Sequence, residues 1–181
     1  MAKKLPKVVK EVWESKTKQS PSTNKHISYS QLSVFATCQK QWADRYIKGL
    51  APYTPNIHTI FGSAFHETMQ SWLEVLYHGK VKDANEMDVN SLLYKNMIKE
   101  YQISREQNGG QHLSTLEELE MFWLDGKHIF EFLKKKRGAY FTTKGVYLAG
   151  IETLLYQELR PGVMFKGFID LVFYDERVDE W

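Results

Sequence analysis

The sequence holds a single cysteine, Cys38, so no disulfide can form within it. A lone thiol fits a reducing compartment, and a cytoplasmic location is the expectation. Long apolar runs are lacking: none approaches the roughly 18–20 residues that a membrane span needs. No apolar stretch near the start reads as a secretory signal. An excess of one charge is lacking too. The 24 Lys and Arg against 22 Asp and Glu leave a net charge of +2, too little by itself to imply a nucleic-acid partner. What is present is core-forming: 43% of the 181 residues are hydrophobic and 14% aromatic. That composition is globular, and the length suffices for one domain with a real core.

Charge is distributed unevenly. Residues 1–25 hold seven lysines against two glutamates. With only Val8, Val9 and Trp13 as apolar anchors, residues 1–26 read as a flexible basic arm. Such an arm is either a solvated terminus or a phosphate-contacting one, with Lys16 and Lys18 as the candidate contacts.

Residues 30–137 read as helices. Ser28-Tyr29-Ser30 offers an N-cap hydroxyl, and Leu32, Phe35, Cys38, Trp42 and Tyr46 follow at helical spacing to a stop at Gly49. A second helix spans about His58 to Tyr77, closed by Gly79, with Phe61, Phe65, Met69, Trp72 and Leu76 as its apolar stripe. Gly62 and His66 lie one turn apart on an offset face. Residues 80–90 read as a loop. A helix over 89–107 ends at Asn108-Gly109-Gly110. Ser114 with Glu117 has capping-box spacing for a long helix to about Arg137. Its end carries Lys134, Lys135, Lys136 and Arg137, which suit the helix dipole in solvent or a DNA backbone.

After Gly138 the pattern becomes β-like. Val146 to Leu159 and Val163 to Tyr174 predict a hairpin over 146–175, with Arg160-Pro161-Gly162 as a type II turn. Its second strand contains Lys166-Gly167-Phe168-Ile169-Asp170-Leu171-Val172-Phe173. Both faces are apolar, so Asp170 reads as buried. A buried carboxylate needs a metal ion or a cationic partner. Glu152 stands mid-strand in a similarly poor place for a charge. His66, Glu152 and Asp170 together can bind a divalent cation; imidazole favours Mn²⁺-like ions over Mg²⁺.

The order Ser28-x-Ser30-x-Leu32-x-x-Phe35-x-x-Cys38, Gly62-x-x-x-His66 and Gly167-x-Ile169-Asp170 resembles the RecB-type branch of the PD-(D/E)XK nucleases. CRISPR-associated RecB-like exonucleases and the AddB nuclease domain belong to that branch. The resemblance covers about residues 28–175. It implies an α/β fold with an αβββαβ core: a helical N-terminal part packed on the start of a restriction-endonuclease-like mixed sheet. It also implies Mg²⁺ or Mn²⁺ held by His66 and Asp170, with Glu152 as an auxiliary ligand or water-orienting group. DNA is the implied substrate, with a helicase or recombination protein as a partner.

One departure matters. The family's next strand carries Asp/Glu-x-Lys, and none follows Asp170 before Trp181. Residues 27–181 therefore read as the N-terminal portion of a RecB-like nuclease domain from a longer exonuclease, inactive by itself. The alternative is a catalytically inactive nuclease-like DNA-binding or assembly module. A third reading is a helical interaction protein whose hairpin joins another chain's sheet. Cys38 sits where some relatives hold the first of four iron–sulfur ligands. One thiolate cannot build that cluster, and its helix face predicts a buried core cysteine.

Overall fold

The computed structural model describes residues 5–15, 26–50 and 54–181. The chain is a mixed α/β protein. Its described elements are α1 (Lys7–Ser15), β1 (His26–Ser28), α2 (Tyr29–Thr37), α3 (Gln39–Trp42) and a π-helical turn (Ala43–Ile47). They continue with α4 (Ile57–His78), α5 (Val81–Glu86), α6 (Val89–Gln107), α7 (Leu116–Tyr140), β2 (Val146–Arg160) and β3 (Val163–Asp175). The described residues fall into two compact units, one within Thr54–Val146 and one within Leu5–Tyr53 and Tyr147–Trp181.

The first unit is helical. Asn56 and Thr59 open α4 with a reciprocal capping box: Asn56 Oδ1 accepts from Thr59 N–H at 3.1 Å, and Thr59 Oγ1 accepts from Asn56 N–H at 2.9 Å. Ile57, Ile60, Ala64, Thr68, Trp72 and Leu76 are buried at spacings of three and four. Gly79 closes the helix, and a Cβ there would lie 2.7 Å from the Val75 carbonyl oxygen. The apolar stripe is shifted from the expected one. Trp72 and Leu76 are buried, but Phe61 and Phe65 are only partly buried, packed with Trp123 against Ala64, Leu93 and Met97. Gly126 on α7 makes that approach possible, because a Cβ there would stand 2.5 Å from Leu93 Cδ2.

Three sequence expectations in this unit are corrected. Residues 81–86 are helix α5, not loop. Trp72 Nε1 donates to the Ala84 carbonyl at 3.0 Å and Ala84 is fully buried, so tertiary contact organises a polar stretch. The α7 capping box is Thr115 with Glu118, one residue later than Ser114 with Glu117. The helix also continues through Gly138 to Tyr140. Beyond it, Phe141 stacks edge-on against Trp72 and Tyr77 Oη donates to the Thr142 carbonyl. The helix over 89–107 is as the spacing predicts, with Asp88 accepting from Ser91 N–H.

A buried polar relay joins α4 to α6. Asn96 Nδ2 donates to Thr68 Oγ1 at 2.9 Å, and Thr68 Oγ1 donates to the Ala64 carbonyl at 2.7 Å. Replacing Thr68 by Val keeps the shape but strands the Asn96 amide. Thr68→Val is expected to destabilise the protein by about 1–3 kcal/mol in urea unfolding.

The second unit carries the sheet, in the order β1-β3-β2. The hairpin falls where the sequence puts it, and Gly162 at φ 76° supplies the positive φ of the turn. It is not a lone hairpin: β1 adds a parallel strand, pairing His26 with Met164, Ile27 with Phe165 and Ser28 with Lys166. The arm expected over residues 1–26 is likewise corrected in its described part. Residues 7–15 are helical, and Val9 is fully buried with Tyr147 and Ala149, flanked by Val172 and Tyr174. Lys16 and Lys18 lie outside the described residues.

The segment after β1 also differs from a single helix. Ser28 caps α2 as expected, accepting from Gln31 N–H at 3.2 Å. The helix then breaks at Cys38 (φ −157°, ψ 105°), which caps α3 with its sulfur 3.4 Å from Gln41 N, and a π-helical turn follows. Cys38 is exposed, not buried, because a capping position faces its side chain toward the next helix start. Leu32 and Phe35 are exposed as well.

Past β3 the chain reverses. Asp175 and Glu180 exchange backbone hydrogen bonds at 2.8 and 3.2 Å, and the Trp181 and Tyr174 rings lie 4.9 Å apart. Arg177 donates to both Asp175 carboxylate oxygens, which brings that carboxyl down to about 2. A depressed folded pKa gives stability that is present in full above the ordinary carboxylate range and lost as pH falls through it toward about 2. The Tyr174–Trp181 near-ultraviolet dichroism is expected to hold at neutral pH and fade over that acid window, and Asp175→Asn to shed the window.

Candidate metal centre

Two carboxylates converge on the hairpin. A carboxylate oxygen of Glu152 on β2 and one of Asp170 on β3 lie within 4.8 Å of each other. Both are hard oxygen donors, and the spacing suits one shared divalent ion, whose oxygen ligands sit about 2.0–2.6 Å from its centre. The donor set fits the metal that the sequence resemblance implies.

Glu152 reaches this position through an unusual backbone. Its φ is 49°, a left-handed value that a non-glycine side chain rarely adopts. The strand is irregular around it. Residues 146–151 are buried one after another, while from Glu152 onward β2 is only partly covered. Thr153 folds back so closely that a Cβ on Gly150 would stand 2.2 Å from its Oγ1, and that hydroxyl is buried without a hydrogen-bond partner. Local distortion of this kind re-aims one side chain within a strand. Gly150 was the only sequence signal of it, two residues before the carboxylate.

Asp170 is exposed, which corrects the expectation of a buried strand. Phe168 and Ile169 beside it are exposed too. An apolar run signals a strand, but not which part of it another layer covers. The electrostatic question changes accordingly. Asp170 does not need a partner to survive burial, and a carboxylate oxygen of Glu152 lies within 4.8 Å of one of its own.

His66 belongs to the helical unit. It sits on α4 between the buried Ala64 and Thr68 and is itself half-buried. Gln70, one turn on, holds its amide nitrogen 3.1 Å from His66 Nε2. That contact orients the imidazole on its helix. At Gly62 an added Cβ would meet nothing within 4 Å, so the space one turn before the imidazole is open.

The basic end of α7 is not uniform. Lys134 Nζ donates to the Met87 carbonyl at 2.7 Å and the Asn85 carbonyl at 3.1 Å. Burial pushes its pKa down, and the Asp88 charge offsets part of that. Lys134 thus ties α7 to the α5–α6 connection. Lys135 and Lys136 are exposed, and Arg137 is half-buried.

A model of the PD-(D/E)XK nuclease superfamily matches residues 26–181. The chain belongs to that superfamily. Nucleases of the PD-(D/E)XK superfamily typically depend on a divalent metal, and membership implies DNA as the substrate class. The match takes in all three candidate ligands as well as β1, the hairpin and the turn after it. No curated protein and no solved structure matches the chain.

Strain at Glu152 gives a separable test. Glu152→Gly accepts the positive φ without a Cβ, so it is expected to hold or raise stability by on the order of 1 kcal/mol. It should at the same time weaken Mn²⁺ binding measured by titration calorimetry. Loss of stability with unchanged Mn²⁺ binding would assign Glu152 a structural role.

Proposed function

We propose that this chain serves metal-dependent hydrolysis of DNA phosphodiester bonds as a RecB-type member of its superfamily, acting from strand ends as an exonuclease. The observation that carries the reading is the convergence of Glu152 and Asp170 on the hairpin within a chain of that superfamily. In this reading Asp170 and Glu152 give oxygen ligands to one Mg²⁺ or Mn²⁺, and His66 is the third donor through a ring nitrogen. When bound, such an ion neutralises phosphate charge and makes water a better nucleophile.

The chain's own residues have distinct tasks. Asp170, on a regular part of β3, fixes one ligand direction. Glu152, on the distorted part of β2, sets the second and can also orient a water by accepting its proton. His66 brings a softer donor, which tilts preference toward Mn²⁺. Lys135, Lys136 and Arg137 can pair with backbone phosphates, with Lys134 already engaged at two carbonyls. A helicase or recombination protein that delivers strand ends is the partner class this reading calls for.

A second reading is a catalytically inactive nuclease-like module that binds DNA or assembles with a partner and keeps the same metal site. Both readings require the metal. In Mn²⁺ titrations followed by electron paramagnetic resonance, Asp170→Ala and Glu152→Ala are expected to abolish binding, and His66→Ala to weaken it at least tenfold. Unchanged Mn²⁺ affinity in Asp170→Ala would sink both. Metal-dependent release of nucleotides from labelled DNA by the wild-type chain would favour hydrolysis over the module.

A further inference from the structure

Beside Asp170 on the same strand lies a second concentration of functional groups. Lys166, Phe168 and Asp170 alternate along β3, so all three project from one face of the sheet. Lys166 Nζ stands 5.4 Å from the centroid of the Phe168 ring. These two, with His26 and Ser28 of β1 and Tyr29 and Ser30 of α2, line an open cavity of about 430 Å³ within the second unit. Ser28 Oγ and Ser30 Oγ are 2.9 Å apart there. Tyr29 and Phe168 are 74% and 54% exposed, so both present ring surface at the cavity.

We propose that this cavity is a binding subsite for one nucleotide unit of unpaired DNA. The inference rests on the nuclease reading and adds the strand form of the substrate. Each group has a part. Lys166 offers a point charge to a phosphate, and the paired serine hydroxyls can donate to its free oxygens. Tyr29 and Phe168 offer ring faces to a base. Stacking on an exposed ring requires a base that is not stacked in a duplex, and it tolerates any base because each has a π face. A cation beside two open rings is therefore the signature of single-stranded binding. A duplex would present its phosphates to the lysine and leave the rings unused. From Lys166 to Asp170 the strand advances four residues, about 13 Å. A DNA strand seated in the cavity runs along β3 toward the Glu152–Asp170 pair.

The register explains why the parts meet. Ser28 pairs with Lys166 in the parallel β1–β3 ladder. The same Ser28 caps α2, so the first residues of that helix, Tyr29 and Ser30, are held beside the lysine. One short strand thus joins the cation to the hydroxyls and to the first ring.

The test is fluorescence anisotropy with labelled oligo(dT) and a duplex of equal length, in EDTA so that no metal contributes. The wild-type chain is expected to bind oligo(dT) more tightly than duplex. Tyr29→Ala, Phe168→Ala and Lys166→Ala should each weaken oligo(dT) binding on the order of tenfold. Lys166→Ala should also reduce the slope of log affinity against log salt by about 0.7, the value for one phosphate contact on a single strand. Tyr29→Phe, which keeps the ring, and Lys166→Arg, which keeps the charge, should retain affinity, and circular dichroism should show every variant folded. Equal binding of duplex, unchanged affinity in the alanine variants, or no oligo(dT) binding at all would overturn the proposal. Mn²⁺ titration of the same variants separates the two claims. Intact Mn²⁺ binding with unaffected oligo(dT) binding removes the subsite alone. Oligo(dT) binding by the wild-type chain that the alanine variants lose, with no Mn²⁺ binding by either, removes the metal reading alone.

Discussion

A carboxylate oxygen of Glu152 and one of Asp170 lie within 4.8 Å of each other, and the rest of the hairpin holds them there. Glu152 keeps φ 49° in the middle of a strand, a backbone strain that does not improve the fold. That strain becomes intelligible if its side chain is aimed at a divalent cation shared with Asp170. Structures tolerate such strain where the surroundings over-determine it, and here they do. The six residues before Glu152 are buried, and β3 is fixed on both sides by β2 and the β1 ladder.

The helical unit meets a different demand, a rigid platform for one imidazole. His66 lies on α4 between two fully buried positions, Ala64 and Thr68. The Thr68–Asn96 relay locks the rotation of α4 against α6, since turning the helix would strand a buried amide. Trp72 holds α5 through the Ala84 carbonyl and receives Phe130 and Phe141 on its edges. The direction in which His66 leaves its helix is thereby set by the packing of α4 against its neighbours.

Much of this was readable from the order of residues. The hairpin and its Pro161-Gly162 turn follow from alternation and turn chemistry, and α6 from periodicity and the glycines after it. The superfamily follows from motif order, since Gly62-x-x-x-His66 and Gly167-x-Ile169-Asp170 pair residue types whose chemistry is specific. Legibility failed where a distant contact overrides local preference. Residues 81–86 are polar and look like loop, yet Trp72 organises them as a helix. Val9 looks like one of three apolar anchors in a basic arm, yet it fills a core position against Tyr147 and Ala149. Cys38 looks like part of an apolar helix face, yet the helix breaks there and the thiol serves as a cap.

The candidate site divides along the same line. The candidate donors, a histidine and two carboxylates in apolar stretches, are singled out by sequence alone, because an ionisable group in such a setting demands a reason. The exposure of Asp170, the left-handed backbone of Glu152 and the short approach of their oxygens were decided only by the tertiary structure. Burial depends on which layer covers a strand, and oxygen–oxygen distance depends on the pairing of two strands and a distortion in one of them. Local sequence specifies the strands; their register and the surfaces left open arise only when the chain has folded.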